Sequence, residues 1–313
     1  MFLYTLKRLL LAIPTLLGVL TIVFVIVRIA PGDPAIVILG ENATRDAIEQ
    51  LHAQLGLDVP IWQQYLNFMG QVLSGDLGRS MITNRPVLSE VWRVLPYTME
   101  LTVAALAIGI AVGLPLGVIA ARHRNKAADF VIRCLSLLGL SFPAFISAIL
   151  LLLVFSIQLK WLPVIGEASY ADPDKRLAAL ILPALNLGLI MVAYITRVTR
   201  SSMLNVIGED YIRTARAKGV PARWVIWRHT LRNALIPIVT VIGLYLGVLI
   251  GNSVLTEIVF NRPGLGKLIV IALNSRDYPT LQAMLVIYAF VIVLANLFTD
   301  LMYGVIDPKV RNQ

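Results

Sequence analysis

One segment with the residue types of a chemical motif is Asn261–Leu268, NRPGLGKL, which superficially matches a phosphate-binding loop. Such a loop needs a glycine five residues before its Gly-Lys pair and a Ser or Thr after it to hold magnesium. Asn261 and Leu268 occupy those two positions. We therefore interpret the segment as a turn and expect no cofactor in this chain. If the protein uses ATP and magnesium, partner subunits must bind them.

No other residues have the spacing of a catalytic or metal site. Cys134 is the only cysteine, and the three histidines, His52, His123 and His229, do not have the spacing of metal ligands. The apolar segments contain no Ser/His/Asp set and no paired carboxylates. We therefore expect neither catalytic residues nor a metal site, and an intramembrane enzyme is disfavoured.

The composition places the chain in a membrane. Of its 313 residues, 58% are hydrophobic and only 14% are charged, whereas a soluble domain carries roughly 25% charged residues. The mean hydropathy is +0.79. The net charge of +9 comes from basic residues that lie between apolar runs. This distribution indicates a lipid bilayer as the partner and not nucleic acid.

Six apolar segments are long enough to cross a hydrocarbon core of ~30 Å, which needs about 20 helical residues. They are Leu9–Val27, Thr98–Ala121, Cys134–Leu159, Leu177–Ile195, Ala234–Glu257 and Leu281–Tyr303. Five of them contain a proline, and these prolines are Pro14, Pro115, Pro143, Pro183 and Pro237. A helical bundle can satisfy the carbonyls that proline frees, so we expect bent spanning helices.

Ionisable residues are rare in these spans and lie near their ends. They are Glu100, Glu257 and Asp300. Carriers driven by an ion gradient usually place charged groups near the membrane midplane, so a secondary carrier is the weaker alternative. Asp300 lies about a turn before the predicted cytosolic end of its span, so we favour an ion pair with a cytosolic arginine over a functional intramembrane carboxylate.

The distribution of Lys and Arg predicts the orientation. With the N-terminus in the cytosol, 16 of the 27 Lys and Arg residues fall on the cytosolic side, including eight between the fourth and fifth spans. The positive-inside rule then places both termini in the cytosol and residues 28–97 outside. In that outer segment, Thr44 has the position of an N-cap, Ile48, Leu51 and Leu55 have helical spacing, and Gly56 has the position of a helix stop.

Residues 208–219, GEDYIRTARAKG, form a polar interruption on the predicted cytosolic side. Gly208 is expected to interrupt the helix before it, and Glu209 and Asp210 suit the N-terminus of a new helix. Gly219 suits the left-handed backbone conformation that ends this helix before Pro221. The predicted helix Glu209–Lys218 is too short to be stable alone in water, so it needs a partner surface. A second amphipathic helix is expected to follow, with Trp224, Trp227, Leu231 and Leu235 on its apolar side. The alternative is a solvated basic loop held by lipid phosphates.

This stretch resembles the cytosolic EAA loop of ATP-binding-cassette importer permeases, in the form found in dipeptide and oligopeptide permeases. The resemblance covers the whole chain through RIAPGDPA, LGLDVPIWQQY, SGDLGRS, SFPAF, RVTRSSML, HTLRNALIP, RPGLGKL and YGVIDPKVR. The sequence departs from the general EAA pattern, because Arg213 stands in place of its acidic residue and Thr214 in place of its first alanine. The residues that the resemblance assigns to ATPase coupling are Glu209, Asp210, Tyr211, Arg213, Thr214, Ala215, Arg216, Ala217, Lys218 and Gly219.

The resemblance implies an all-α integral membrane protein with six transmembrane helices, a type I importer permease fold, and a helical extracytoplasmic segment between helices 1 and 2. We expect residues 1–93 to hold the first span and that segment, 94–303 the permease core with its coupling loop at 196–233, and 304–313 a cytosolic tail. The implied partners are a second homologous permease in a heterodimer, two ATP-binding subunits and an extracytoplasmic solute-binding protein. The implied location is the bacterial inner membrane.

The resemblance also indicates the substrate class. Relatives in this family carry dipeptides, longer peptides, glutathione, nickel complexes and some sugars. Short peptides are the favoured substrate, and nickel complexes or small saccharides are the alternatives. Asn252, Ser253 and Glu257 could contact solute or could bond backbone groups freed by the neighbouring glycines, and we favour the second interpretation. The residues of the solute pathway stay unassigned.

Overall fold

The structure is a computed structural model that describes residues 2–29, 36, 39, 43–164 and 172–306. Its helices are α1 (Phe2–Ile29), α2 (Arg45–Leu55), α3 (Ile61–Ser74), α4 (Val87–Arg122), α5 (Ala127–Ser141), α6 (Ala144–Leu151), α7 (Pro173–Ile207), α8 (Asp210–Ala217), α9 (Ala222–Trp224), α10 (Arg232–Val259), α11 (Leu265–Asn274) and α12 (Tyr278–Ile306). Wider π-type turns continue α6 over Leu152–Gln158 and join α9 to α10 over Val225–Leu231. Residues 30–35 of the RIAPGDPA motif and 307–313 of the predicted tail lie outside the described residues.

Among the described residues, five helical segments are long and apolar enough to cross a membrane. They are Arg8–Ile29, Val87–Arg122, Pro173–Ile207, Ala222–Val259 and Tyr278–Leu301. Five of the six predicted spans are therefore confirmed as helices, and three of them, the second, fourth and fifth, extend well beyond the predicted bounds. Asp172 begins α7 as its N-cap, and hydrogen bonds from the backbone and side chain of Lys175 lower the pKa of its carboxyl group.

The predicted third span, Cys134–Leu159, is sharply broken in the structure. The structure has two helical segments there, Ala127–Ser141 and Ala144–Gln158, and they are bent by 102° relative to each other. The break falls at Phe142, whose backbone is extended with φ −94° and ψ 130°. Pro143 causes it, because a proline disfavours helical backbone at the residue before it. The pair therefore counts as a broken span or a re-entrant segment.

The chain divides into two compact units. Unit 1 contains Met1–Arg8, Tyr97–Pro263 and Ala295–Gln313, and unit 2 contains Leu9–Pro96 and Gly264–Leu294. The core of unit 1 combines buried apolar side chains of α4, α7 and α10, among them Leu101, Leu187, Met191, Ile195 and Ile238. Helix α7 is the most buried of the spanning helices, because 56% of its apolar 18-residue stretch is buried inside the structure.

A row of glycines on α4 explains how closely α4 and α7 approach each other. Gly109, Gly113 and Gly117 recur every four residues, so they lie on one face of the helix. A Cβ atom on Gly113 would lie 2.9 Å from the carbonyl oxygen of Val192, closer than real Cβ contacts come. The hydroxyl of Thr196 donates a 3.1 Å hydrogen bond to the Gly113 carbonyl. Small residues of this kind let helix backbones pack closely inside a membrane.

Unit 2 is built on the outer segment that the sequence predicted to be helical. The N-cap at Thr44 is confirmed, since its hydroxyl accepts a hydrogen bond from the Ala47 N–H, and Gly56 ends α2 with a left-handed φ of +63°. Phe24, Tyr65 and Phe68 pack together, with ring centroids 5.3 and 5.6 Å from that of Phe24. An apolar cluster therefore holds α3 against α1.

Asp277 fastens the SGDLGRS loop of unit 2 to the start of α12. Its buried carboxylate accepts hydrogen bonds from the Ser80 hydroxyl at 2.6 Å and the Met81 N–H at 3.2 Å. It also accepts a 2.7 Å hydrogen bond from the Thr280 hydroxyl. The Asp277 side chain therefore caps α12 and anchors the distant loop that contains the SGDLGRS motif, so this motif has a structural role.

We predict that Gly113→Ala destabilises the protein, because the added methyl group has no room against α7. Overpacking of this kind costs about 1–3 kcal/mol. The apparent melting temperature of the detergent-solubilised protein, measured by size-exclusion recovery after heating, should therefore fall by several degrees. Gly18→Ala is the matched control, because a Cβ atom on Gly18 meets nothing within 4 Å. Equal melting temperatures for the two variants would contradict the close approach of α4 and α7.

Candidate coupling helix and family membership

The polar stretch between α7 and α9 forms the helix that its sequence predicted. Helix α8 spans Asp210–Ala217, Glu209 is its N-cap residue and Lys218 its C-cap residue. The predicted bounds, Glu209–Lys218, therefore include the two caps. Asp210 lies in the first turn, where its negative charge suits the positive end of the helix dipole.

The stop at Gly219 has the hydrogen bonds of a Schellman motif. The Gly219 N–H donates to the Arg216 carbonyl at 3.0 Å, and the Val220 N–H donates to the Ala215 carbonyl at 3.2 Å. Gly219 has φ +78°, in the left-handed region that costs a residue with a Cβ atom conformational energy. A Cβ atom added there would meet nothing within 4 Å. Position 219 therefore requires glycine because of its backbone conformation and not because space is lacking.

Ile212 fixes α8 to the rest of unit 1. It is fully buried, whereas Asp210, Tyr211 and Arg213 around it are exposed. Helix α8 packs on the π-type turns at Val225–Leu231. The Asn233 side chain also donates a 2.9 Å hydrogen bond to the Tyr211 hydroxyl oxygen. One apolar anchor and one polar contact therefore connect α8 to the start of α10.

The ten residues predicted for coupling lie together on this helix and its caps. Nine of them are exposed, and Ala215 is half-buried. The Arg213 guanidinium lies 3.4 Å from the Asp210 carboxylate, in an ion pair open to solvent. The Thr214 hydroxyl donates to the Asp210 carbonyl at 3.0 Å. The arrangement presents a polar, sharply bounded helix with small alanines to whatever contacts it.

The expected faces of the helix after α8 are only partly right. Trp224 and Trp227 were expected on its apolar side, but 46% and 53% of their surfaces are exposed. Leu231 is buried as expected, and Val225 and Ala234 form the rest of the buried face. The wider π-type turns explain the difference, because they shift the side chains away from the angular spacing of an α-helix.

Each carboxylate that the sequence places in the spans has a polar partner. Asp300 pairs with Arg8 at 2.9 Å, so the predicted pairing with an arginine is confirmed. Glu100 lies 2.9 Å from Arg176 and 2.6 Å from Arg262.

Two buried carboxylates of unit 1 make short contacts to neighbouring helices. Glu257 is fully buried and accepts a 2.6 Å hydrogen bond from the Thr98 hydroxyl. Asp129 is fully buried and pairs with Arg200 through two contacts, at 2.6 and 2.8 Å. Sequence reasoning missed the Asp129 pair, because it placed Asp129 in a loop before the third span.

The loop after α10 contains a buried arginine. Arg262 is 2% exposed and lies 5.7 Å from the ring centroid of Tyr97. Burial lowers the pKa of its guanidinium, and the nearby carboxylate of Glu100 opposes that shift. In the predicted NRPGLGKL turn, residues 261–264 are indeed non-helical, and α11 begins at Leu265.

Polar residues of Gly251–Phe260 bond within the protein, Ser253 to the backbone and Glu257 to the Thr98 side chain. The Ser253 hydroxyl donates to the Ile250 carbonyl at 2.8 Å. Thr256, on the same helix, accepts a 3.1 Å hydrogen bond from Asn186, whose carbonyl oxygen accepts from Ser147 at 2.6 Å. These contacts connect α10, α7 and α6 inside unit 1.

Spanning helices joined by a short, capped helix that is exposed on one side place the chain among multi-pass membrane proteins. The comparisons with known proteins identify the family. The model for binding-protein-dependent transport system inner membrane components matches residues 113–312, and the model for the N-terminal part of such components matches residues 1–102. The chain belongs to this family.

Relatives match the chain over almost its whole length. The dipeptide transport system permease protein DppB of Alkalihalophilus pseudofirmus is 42% identical over 99% of this chain and 100% of its own. The glutathione transport system permease protein GsiC is 43% identical in Escherichia coli O6:H1 and 44% in Salmonella choleraesuis, over 98% of both chains in each case.

A solved structure confirms the fold. The inward-facing MetNI methionine ABC transporter matches with a TM-score of 0.60 and 19% identity, over 71% of this chain and 99% of that one. The all-α membrane fold of an importer permease, expected from the sequence, is therefore confirmed.

The sequence did not reveal the anchor Ile212, although an isolated aliphatic residue within a charged stretch was a usable signal.

We predict that Ile212→Ala loosens α8 without unfolding the spans. Truncation of a buried isoleucine costs roughly 2 kcal/mol or more, which corresponds to an approximately thirtyfold faster amide exchange if local opening controls exchange. Hydrogen exchange of residues 210–217, followed by mass spectrometry, measures this. Arg213→Ala is the control, because its exposed side chain contributes little. Unchanged exchange in Ile212→Ala would contradict its role as the anchor.

Proposed function

We propose that this chain is a transmembrane permease subunit of an ATP-driven importer that carries short peptides across the bacterial inner membrane. The observation that carries the proposal is α8, a capped helix that is anchored by Ile212 and exposes the predicted coupling residues. Membership in the binding-protein-dependent family supports an importer. The dipeptide and glutathione permeases among its relatives support peptides as the substrate class.

The proposed complex contains a second, homologous permease, two ATP-binding subunits and an extracytoplasmic solute-binding protein. Both termini of this chain are proposed to lie in the cytosol, since the Lys and Arg bias favours that orientation. Helix α8 then faces the ATP-binding subunits. Those subunits bind magnesium and ATP and hydrolyse the ATP. This chain forms the path for the substrate.

The proposed mechanism needs α8 to distinguish two states of the ATPase pair. ATP can shift the permease between conformations only if the contacts at α8 differ in free energy between them. Closure of the pair would move α8, and the Ile212 anchor and the Tyr211–Asn233 hydrogen bond would carry that movement to α10. The chain connection through Gly208 carries it to α7. Peptides would enter from the binding protein when the path is open to the outside.

Co-purification tests the proposal directly. The tagged chain is purified in mild detergent from its own host, and the bound proteins are identified by mass spectrometry. A second permease and one or two ATP-binding proteins are the expected partners. The complex is then reconstituted in liposomes with its binding protein, and uptake of a labelled dipeptide should require internal ATP. Uptake by the chain alone that collapses with the proton gradient would overturn the proposal.

We predict that Gly219→Leu uncouples ATP hydrolysis from peptide uptake. A residue with a Cβ atom in the left-handed conformation costs about 1–2 kcal/mol, so the stop after α8 would rearrange. Uptake per ATP hydrolysed should fall by about tenfold, while basal ATP hydrolysis persists. The ratio of uptake to phosphate release in the same proteoliposomes measures this.

Gly219→Asn is the matched control for that variant. Asparagine tolerates the left-handed region, and the space around Gly219 admits its side chain. Coupling in Gly219→Asn should therefore stay within about twofold of the unmodified complex, given a strain of a few tenths of a kcal/mol. A normal ratio of uptake to hydrolysis in Gly219→Leu would refute the coupling role of the stop.

A further inference from the structure

A cavity of about 300 Å³ opens between α5 and α7 in unit 1. Its lining includes three arginines, Arg133, Arg197 and Arg200, and the hydroxyl-bearing residues Ser136 and Ser201. Three cationic side chains around one small space require anionic partners. The cavity is distinct from α8 and from the carboxylate contacts of Glu100 and Glu257.

The protein itself supplies only part of the negative charge that these arginines need. Arg200 is held by the buried Asp129 through two contacts, at 2.6 and 2.8 Å. The Arg133 Nε lies 3.7 Å from the same carboxylate. The Arg197 guanidinium lies over the ring of Tyr194 at 5.5 Å, and no carboxylate of the described residues makes an ion pair with it. Among the described residues, one carboxylate therefore pairs with two of the three arginines, Arg133 and Arg200.

The cavity lies near one end of the two helices that form it. Arg133 is within two turns of the start of α5, and Arg200 is within two turns of the end of α7. The ion pair between Asp129 and Arg200 places these two ends at the same level. The ends of spanning helices lie where the head groups of a bilayer meet its hydrocarbon.

The surface of α5 beside the cavity is apolar and open. Phe130, Val131, Leu135, Leu137 and Leu138 each expose more than half of their surface. Leu137 also lines the cavity. A basic pocket bordered by exposed hydrocarbon suits a molecule that has an anionic head and apolar chains, and basic pockets between spanning helices bind the head groups of anionic lipids.

We propose that this cavity binds the phosphate of an anionic phospholipid, with the acyl chains lying along the apolar face of α5. Arg133 and Arg197 contact the phosphate, and the Ser201 hydroxyl is placed to donate a hydrogen bond, whereas the Ser136 hydroxyl already donates to the Ile132 carbonyl. Arg200 contributes its charge while Asp129 fixes its position. The site goes beyond the permease role, because it makes the ends of α5 and α7 next to the coupling helix dependent on lipid composition.

Native mass spectrometry of the delipidated complex tests the site, with dioctanoyl phosphatidylglycerol as the titrant. The unmodified protein should retain one phosphatidylglycerol per copy of this chain, in preference to dioctanoyl phosphatidylcholine. Each arginine near an anionic head group contributes about a fivefold gain in affinity, so Arg133→Gln with Arg197→Gln should weaken retention by about thirtyfold. If this chain purifies alone, the same titration applies, so the result does not depend on the transport proposal.

Arg122→Gln with Arg124→Gln is the matched control. Both arginines are exposed at the same end of the helices, and neither lines the cavity. The control should retain phosphatidylglycerol like the unmodified protein. Equal retention by all three proteins would overturn the proposal. Inorganic phosphate that displaces the lipid as effectively as free phosphatidylglycerol would also overturn it, in favour of a site for soluble anions.

A second variant keeps the test decisive if the double arginine variant fails to fold. Leu137 is 58% exposed, so Leu137→Glu leaves the core intact. It places a carboxylate at the cavity that neutralises the arginines and repels the phosphate. Its phosphatidylglycerol retention should fall by at least tenfold, whereas Leu138→Gln, a polar change beside the cavity without charge, should stay within about threefold. Retention in Leu137→Glu equal to that of the unmodified protein would refute the site.

Discussion

Hydrocarbon offers no partner for a hydrogen bond and stabilises charge poorly, and this constraint explains where the polar groups of the chain lie. Moving an isolated ionised group into an apolar environment costs far more than a folded protein can spare. Asp300 accordingly contacts Arg8, Asp129 contacts Arg200, and Glu257 accepts from Thr98. These contacts join helices that are distant in sequence, so the requirement to satisfy polar groups also helps to fix which helices are neighbours.

The same solvent removes the usual reason for helices to associate, because lipid tails are as apolar as the side chains of leucine. Close packing has to supply the attraction instead. The glycines of α4 let α7 approach until the Thr196 hydroxyl reaches the Gly113 carbonyl. Helix α7 is consequently the most buried span and leads through Gly208 directly into α8. Its position in the core of unit 1 makes it a stiff connection between α8 and the other spans.

Much of the fold could be predicted because its signals are local. Hydropathy over about 20 residues reveals a span, and caps such as Thr44 and Gly219 are determined by a few neighbouring residues. The break at Phe142 was missed although Pro143 was noticed, since a proline kink and a proline break look alike in sequence. The Asp129–Arg200 pair and the Asp277 contacts depend on residues far apart along the chain, which no single sequence positions. The exposure of Trp224 and Trp227 depends on π-type turns that have no clear sequence signal.

The geometry of α8 also restricts how it could recognise an ATP-binding subunit. Its ion pair between Asp210 and Arg213 is open to solvent, and exposed ion pairs contribute only about 0–1 kcal/mol. The charges of the helix are therefore better suited to steer a partner than to hold it. Ala215 and Ala217 permit close approach of a partner backbone, and Ile212 prevents the helix from turning away when it is pushed. In the proposed complex, shape and a fixed anchor rather than charge would transmit the movement, which explains how the loop can tolerate Arg213 where the general EAA pattern has an acidic residue.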